Sequence, residues 1–354
     1  VQTRKIIDTA EANGNISDIF KLQDEIAFNL LDSLKIVLGE KEKEEIKVNP
    51  TENLTAYQWF SKGCEAYTLK LYDKAIEYNT KAIQINPKYA DAYYNRGCAY
   101  DEKGLYDEAI EDYTKVIELT PKRFIKFDNK PKPVFDPSKL EAFKNNLKLA
   151  KTYYNRGIVY GKKKLYDEAI EDYTKAIKLD PKDANGYYMR GFTYYVKGSV
   201  DETIEDFTKA IEDFTKVMEL DPKRFIYWLR GNAYHKKGLY DEAIEDFTKA
   251  IKSYSKKDEK NAADLYCDRG DAYVGKGLYD EAIADYSKAI QLGFELGFVS
   301  DKTYLVAAYY SRGIAYYKKG DKEKAIKDFK KAADLGNEEA RQKLKEFFNI
   351  DYWK

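Results

Sequence analysis

His235 is the only histidine in this 354-residue chain, so a histidine-activated nucleophile has no second imidazole to relay through and a multi-histidine metal site cannot be assembled. Within a helical run it reads as a packing or surface residue. Cys64 and Cys98 follow glycines at equivalent points of adjacent repeats. That places them on neighbouring helices with axes roughly 10 Å apart, an awkward separation for a disulfide, whose Cα atoms lie within about 7 Å. Cys267 has no evident partner. The sequence contains no glycine-rich phosphate loop, no serine nucleophile elbow and no zinc-ligand spacing. Its carboxylates are interspersed with lysines, the pattern of a solvated helical surface. These readings predict no enzyme, no cofactor and no metal. Lys plus Arg and Asp plus Glu stand at 61 each, so no net field draws nucleic acid or an anionic membrane. No run approaches the roughly 18 apolar residues of a membrane helix.

The side chains left to act are aromatic rings, amides and a few acids, and a repeat positions them. Gly63, Gly97, Gly157, Gly191, Gly231, Gly270 and Gly313 each open a similar phrase, followed twelve residues later by Ala75, Ala109, Ala169, Thr203, Ala243, Ala282 or Ala325. Two of the six glycine intervals are 34 residues and the others are 60, 40, 39 and 43, which gives a unit of about 34 with insertions. Apolar residues recur at helical spacing within each unit, as at Ala243, Ile244, Phe247, Ala250 and Ile251. Each unit is therefore two helices, with the small residues at their crossing. Gly104, Gly198, Gly238, Gly277 and Gly320 are expected to end first helices in a left-handed conformation, with Lys70 and Lys164 in that place in two units. The Asp-Glu pairs that follow suit the positive end of the second helix, and Pro87, Pro121, Pro181 and Pro222 stop it.

An arginine precedes the glycine in six units, and Asp112, Asp172, Asp206, Asp246, Asp285 and Asp328 fall fifteen residues after it. The first unit has Lys62 and Tyr78 instead. This joint presence and absence predicts an Arg–Asp bond across each hairpin; an arginine ladder for a ligand is the alternative. EDFTKAI directly followed by EDFTKVM is a tandem duplication of seven residues, predicted to lengthen the second helix of that unit by about 10 Å. Residues 124–149 form an inserted loop with three prolines, then a backward helix extension from Ser138; the insert is either a packed excursion or a binding loop.

With its glycine in the first helix, alanines and an aromatic in the second, and a terminal proline, the sequence closely resembles the tetratricopeptide repeat family. The resemblance implies an all-α, right-handed α-solenoid of seven helical hairpins at about 56–89, 90–123, 150–183, 184–223, 224–262, 263–305 and 306–337. The segment from Asn337 resembles the capping helix such arrays end on, with a tail to residue 354. Residues 1–50 stand outside the repeat: VQTRKIIDTAEA reads as a short N-terminal strand, and SDIFKLQDEIAFNLLDSLKIVL as an amphipathic helix. The phrase GNISDIFKLQDEIAFNLLDSL resembles the last helix of curli-secretion-channel-like envelope domains that precede such repeats in bacterial proteins. This implies a remnant of another domain and a periplasmic or cell-surface location, with the cytoplasm as the alternative.

In the resembled family the first helices line a concave groove. Transferred by position, that groove holds Phe60, Tyr94, Asn95, Tyr154, Asn155, Tyr188, Phe192, Tyr195, Trp228 and Asn232, with Tyr67, Tyr310 and Tyr317, and with acids at Asp101, Asp268 and Asp271. Rings and amides together suit an extended peptide or a helix; packing between neighbouring first helices is the competing role for the rings. Family members that clamp a carboxylate chain end need lysine, asparagine and arginine where this chain has Phe60, Cys64 and Asn155, so that clamp is not expected. The expected function is a non-enzymatic scaffold binding a protein segment. The alternative is a self-assembling structural subunit whose ends and N-terminal strand contact other copies.

Overall fold

The computed structural model describes residues 54–121, 137–223, 226–253, 259–295 and 302–352. The expected N-terminal strand and helix, and the proline-bearing half of the insert, lie outside the described residues. What is described is all-α: fifteen helices that pair into hairpins in chain order, with no strand among the described residues. The chain divides into two compact units, Val1–Pro181 and Lys182–Lys354.

The first unit holds three hairpins: α1 (Leu54–Thr68) with α2 (Tyr72–Ile85), α3 (Ala90–Glu102) with α4 (Tyr106–Leu119), and α5 (Pro137–Lys162) with α6 (Tyr166–Leu179). The second holds four and a last single helix: α7 (Ala184–Asp201) with α8 (Ile204–Leu220), α9 (Tyr227–Lys237) with α10 (Tyr240–Ser253), α11 (Glu259–Lys276) with α12 (Tyr279–Glu295), α13 (Lys302–Lys319) with α14 (Lys322–Asp334), then α15 (Glu338–Phe348). Within each unit, a second helix packs on the first helix of the hairpin that follows it, and first helices also touch one another at α1–α3, α9–α11 and α11–α13. First helices therefore share one face of the array.

The crossing explains the repeated phrase. At Gly97, Gly157, Gly231, Gly270 and Gly313 an added Cβ would meet the ring of Tyr113, Tyr173, Phe247, Tyr286 or Phe329 at 2.7–3.1 Å, so only glycine lets helix and ring close together. Ala75, Ala109, Ala169, Ala243, Ala282 and Ala325 are fully buried alongside. The second helices begin without a side-chain cap at Leu71, Leu105 and Leu165; carboxylates in the first turn, such as Asp107 and Glu108, satisfy the helix dipole there instead. The turn residues are left-handed as expected, at Gly104, Gly238, Gly277 and Gly320 and also at Lys70 (φ 58°) and Lys164 (φ 61°).

The predicted Arg–Asp bonds are present and bidentate. Arg156 donates from Nε to Asp172 at 2.7 Å and from Nη2 at 2.9 Å, and Arg96, Arg230, Arg269 and Arg312 bond in the same way to Asp112, Asp246, Asp285 and Asp328. Their Nη1 groups add a bond between hairpins, from Arg96 to Thr80, Arg156 to Thr114, Arg230 to Thr215, Arg269 to Thr248 and Arg312 to Ser287, at 2.7–3.0 Å. Tyrosines three before and four after each arginine flank the guanidinium, as Tyr153 and Tyr160 do for Arg156 at 5.6 and 5.7 Å. The arginines are structural ties, not a ligand ladder. In the first hairpin the tie is replaced by a cation–π cluster, with the Trp59 ring under Lys62 at 4.7 Å and Lys81 at 4.5 Å.

The duplicated heptad corrects four expectations. Arg190 bonds Asp213, not Asp206, from Nε and Nη2 at 2.8 Å, and Asp206 accepts from Thr203 Oγ1 at 2.7 Å. The left-handed turn falls at Glu202 (φ 54°) instead of Gly198, which is buried inside α7 against Phe207. Thr203 precedes α8, and the alanine in the crossing is Ala210. Seven residues add about two turns in total, and the hairpin divides them. Both α7 and α8 lengthen by about one turn, where an extension of about 10 Å in the second helix alone was predicted. An antiparallel hairpin keeps its crossings in register only if both arms grow together.

Candidate functional site

The residues assigned to the groove face lie on the first helices, and packing sorts them. Phe60 leans on Tyr89 with ring centroids 5.0 Å apart. Tyr94, Tyr154, Tyr188, Tyr195 and Tyr310 tilt against the aromatic of their own second helix, respectively Tyr113, Tyr173, Phe214, Phe207 and Phe329, at 5.8–6.5 Å. Tyr67 does the same with Tyr72 at 5.7 Å. All these rings are half-buried, with an edge left at the surface. Tyr317 departs from the expected set: it stacks flat on Phe347 of α15 at 3.9 Å, so the capping helix occupies its face. Two large side chains stay open to solvent, Phe192 at 39 % and Trp228 at 44 % exposure.

In the first unit the polar groups of this face bond one another. Asn155 Nδ2 donates to the Tyr94 hydroxyl at 2.7 Å, and Asn95 Nδ2 points at Cys64 Sγ at 3.4 Å. The Lys151 ammonium lies 5.4 Å from the Tyr94 ring centroid. Asp91 is bridged by Lys148 and Asp101 by Lys162, both at 2.6 Å, so Asp101, expected among the groove acids, is already neutralised. Burial raises the Cys98 thiol and the Tyr94 phenol above their ordinary values.

The second unit differs at the same positions. Trp228 stands three residues before its glycine, as Tyr94 does, and Asp268 stands two before its glycine, as Asn155 does. They meet in the same way: Trp228 Nε1 donates to Asp268 Oδ2 at 2.6 Å. The Tyr195 phenol on α7 lies near enough to feel the Asp268 charge. Asp264, Asp268 and Asp271 follow one another at helical spacing along α11. Asp271 accepts from the Tyr286 hydroxyl at 2.5 Å. Burial, with Asp271 and Asp264 close by, pushes the Asp268 carboxyl up to about 6 against the pull of the indole N–H. Asp271 keeps exposed surface, yet the protein packed around its carboxyl desolvates it enough to raise it, against the Tyr286 hydroxyl and the nearby His235 and Lys236. Burial holds His235, which packs on Tyr240 at 5.7 Å, below the ordinary imidazole value. Asn232 is half-buried one helical turn after Trp228. The structure thus brings Trp228, Asp268 and Tyr195 together from three first helices. Each was legible singly; their convergence was not, because it depends on how neighbouring hairpins stack.

Among the described residues, no group of three or more His, Cys, Asp or Glu side chains could hold a metal ion, and no helix is long and apolar enough to cross a membrane.

Family profiles described as tetratricopeptide repeat match residues 56–89, 90–123 and 150–183, then 172–205, 193–224, 224–292 and 261–338. None of the curated proteins matches the chain. Among solved structures, the C-terminal part of a TPR repeat-containing protein from Cytophaga hutchinsonii is 21% identical with a TM-score of 0.59, over 80% of this chain and 99% of that one. A tetratricopeptide repeat protein from Parabacteroides merdae is also 21% identical, with a TM-score of 0.49 over 84% of this chain and 98% of that one. A MamA fragment from Desulfovibrio magneticus RS-1 is 22% identical, with a TM-score of 0.45 over 57% and 96%.

Proposed function

The chain belongs to the tetratricopeptide repeat family, and from that premise we propose a non-enzymatic scaffold that binds a peptide or helix of another protein along the face of its first helices. The observation that carries this reading is the exposure of Phe192 and Trp228 on that face, where every other assigned ring packs on a neighbour. Exposed aromatics beside hydrogen-bonding side chains are the composition of an interface centre. The far end of the second unit favours groove binding over end-to-end assembly. There α15 packs its Phe347 and Phe348 inward against Tyr317 and Phe329 and turns the Lys343–Glu346 and Lys345–Asp351 pairs outward, as a terminating cap does.

The test is an array of immobilised twelve-residue peptides probed with the full chain. Peptides retained by the wild type are expected to lose at least tenfold in affinity with the double substitution Phe192→Ala and Trp228→Ala. They should keep it with Val200→Ala and Ile204→Ala, which remove exposed apolar side chains at the hairpin tip. Equal losses from the two pairs, with helicity unchanged, would overturn the groove assignment.

A further inference from the structure

One ion-pairing pattern recurs through the chain. A carboxylate, a guanidinium and flanking aromatic rings form the tie at Arg96, Arg156, Arg230, Arg269 and Arg312, where aspartate supplies both oxygens and two tyrosine rings lie 5.5–5.9 Å from most of the guanidinium carbons. The groove of the second unit contains the same set without the cation. Trp228 offers a half-exposed ring, Asp268 offers a carboxylate bonded to it, and the Tyr195 phenol lies near that carboxylate. Among the described residues, no lysine or arginine forms an ion pair with Asp268 or Asp271.

The first unit shows what normally fills this place. There the equivalent ring, Tyr94, is covered by Lys151, six residues before the glycine of the next first helix. The residue six before Gly270 is Asp264. Going from the first unit to the second, a lysine becomes an acid and an amide becomes an acid, so the internal cation is removed and two negative charges are added beside an exposed indole.

We propose that this face of α7, α9 and α11 receives an arginine side chain from a basic segment of a partner protein, its guanidinium resting on the Trp228 ring and bonding the Asp268 carboxylate. The proposal rests on the groove reading above and adds the chemistry of the occupant. Arginine fits better than lysine because its planar fork can stack on an indole and reach a carboxylate at once, as the internal ties do. The neutral donors already present, Trp228 Nε1 on Asp268 and the Tyr286 hydroxyl on Asp271, orient the oxygens without cancelling their charge.

The same array decides the matter when its peptides carry arginine, lysine, glutamine or glutamate at a central position in otherwise identical apolar sequences. Arginine peptides should bind at least tenfold tighter than glutamine peptides and several-fold tighter than lysine peptides. Asp268→Asn, which retains an acceptor for the indole, should abolish the arginine preference while leaving helicity intact and the melting temperature no lower than that of the wild type. Asp268→Lys should shift preference to glutamate peptides; if that variant does not fold, the isosteric asparagine variant carries the test. Bound peptides that depend on Phe192 and Trp228 but show no arginine preference would overturn this inference and leave the groove reading standing. Retention that ignores all groove substitutions would overturn both.

Discussion

The first helices of the two units carry their variable side chains at the same positions on the same scaffold, yet one surface neutralises its charges internally and the other leaves Asp268 and Asp271 without an ion pair among the described residues. In the first unit the polar residues are consumed internally: Asn155 bonds Tyr94, Lys151 covers that ring, and lysines bridge Asp91 and Asp101. In the second, Asp268 and Asp271 are held by neutral donors and Trp228 is left open. The framework beneath is the same in both, with the same Arg–Asp tie and the same glycine crossing. The difference teaches that framework and groove are separately variable: ring, glycine and ion pair make each hairpin stack, and substitution of a few outward positions sets what the surface attracts.

If the framework is equivalent in both units, removing the tie should cost the same in each. Arg156→Ala in the first and Arg230→Ala in the second each leave an aspartate less than 4 % exposed without its cation, with an expected loss of about 3–5 kcal/mol in urea unfolding. A gap of more than about 2 kcal/mol between them would break the equivalence. The glycine crossing is the next largest effect. Gly157→Ala and Gly270→Ala would bring a methyl within 2.7–2.8 Å of a buried tyrosine ring, and each is expected to cost about 1–3 kcal/mol by overpacking. Ala at Gly161, where an added Cβ meets nothing within 4 Å, is the control and should be tolerated.

The grooves should differ in their response to acid. The Asp268 carboxyl has an ordinary value of 3.8 and is pushed up to about 6 in the folded chain. The folded state therefore holds a proton that the unfolded state has lost between about pH 4 and pH 6. This group's contribution to stability is greatest below that window and falls as pH rises through it. Asp268→Asn should remove the slope and stabilise the chain at neutral pH by roughly 1–3 kcal/mol, read as a higher melting temperature at pH 7.5 with little change at pH 4. Binding runs the other way: capture of arginine peptides, which needs the ionised carboxylate, should weaken as pH falls through 6. Asp264 and Asp271 on the same helix, Tyr195 on α7, and His235 and Lys236 on α9 all face this region, so a wild-type profile broader than a single titration is expected and Asp268→Asn should narrow it. The smallest effect concerns the lengthened hairpin. Glu202→Gly relieves a left-handed non-glycine residue and is expected to stabilise by about 0.5–1 kcal/mol, whereas Gly198→Ala should destabilise, because the added methyl would lie 3.2 Å from the Phe207 ring.

Much of this molecule was legible in its sequence because its contacts repeat. Residues at a constant offset from a glycine must meet at a constant place across a hairpin, and the joint absence of arginine and aspartate from the first hairpin, which has Lys62 and Tyr78 instead, predicts their bond. The same logic failed at 184–223, where counting fifteen residues from Gly191 leads to Asp206 and the bond goes to Asp213. A duplicated heptad offers two equivalent partners in sequence, and only the position of the turn selects between them. Glu202 takes the turn so that both arms lengthen and both glycine crossings, Gly191 with Phe214 and Gly198 with Phe207, are filled.

By itself, then, the sequence determined the helices, their pairing and the ties within five of the hairpins, all of them local consequences of helical period and fixed offset. Tertiary structure alone decided the register of the lengthened hairpin, the covering of Tyr317 by Phe347, the neutralisation of Asp101 by Lys162, and the meeting of Trp228 with Asp268. Those contacts join residues whose separation along the chain follows no period, so packing between hairpins, not spacing within them, brings them together.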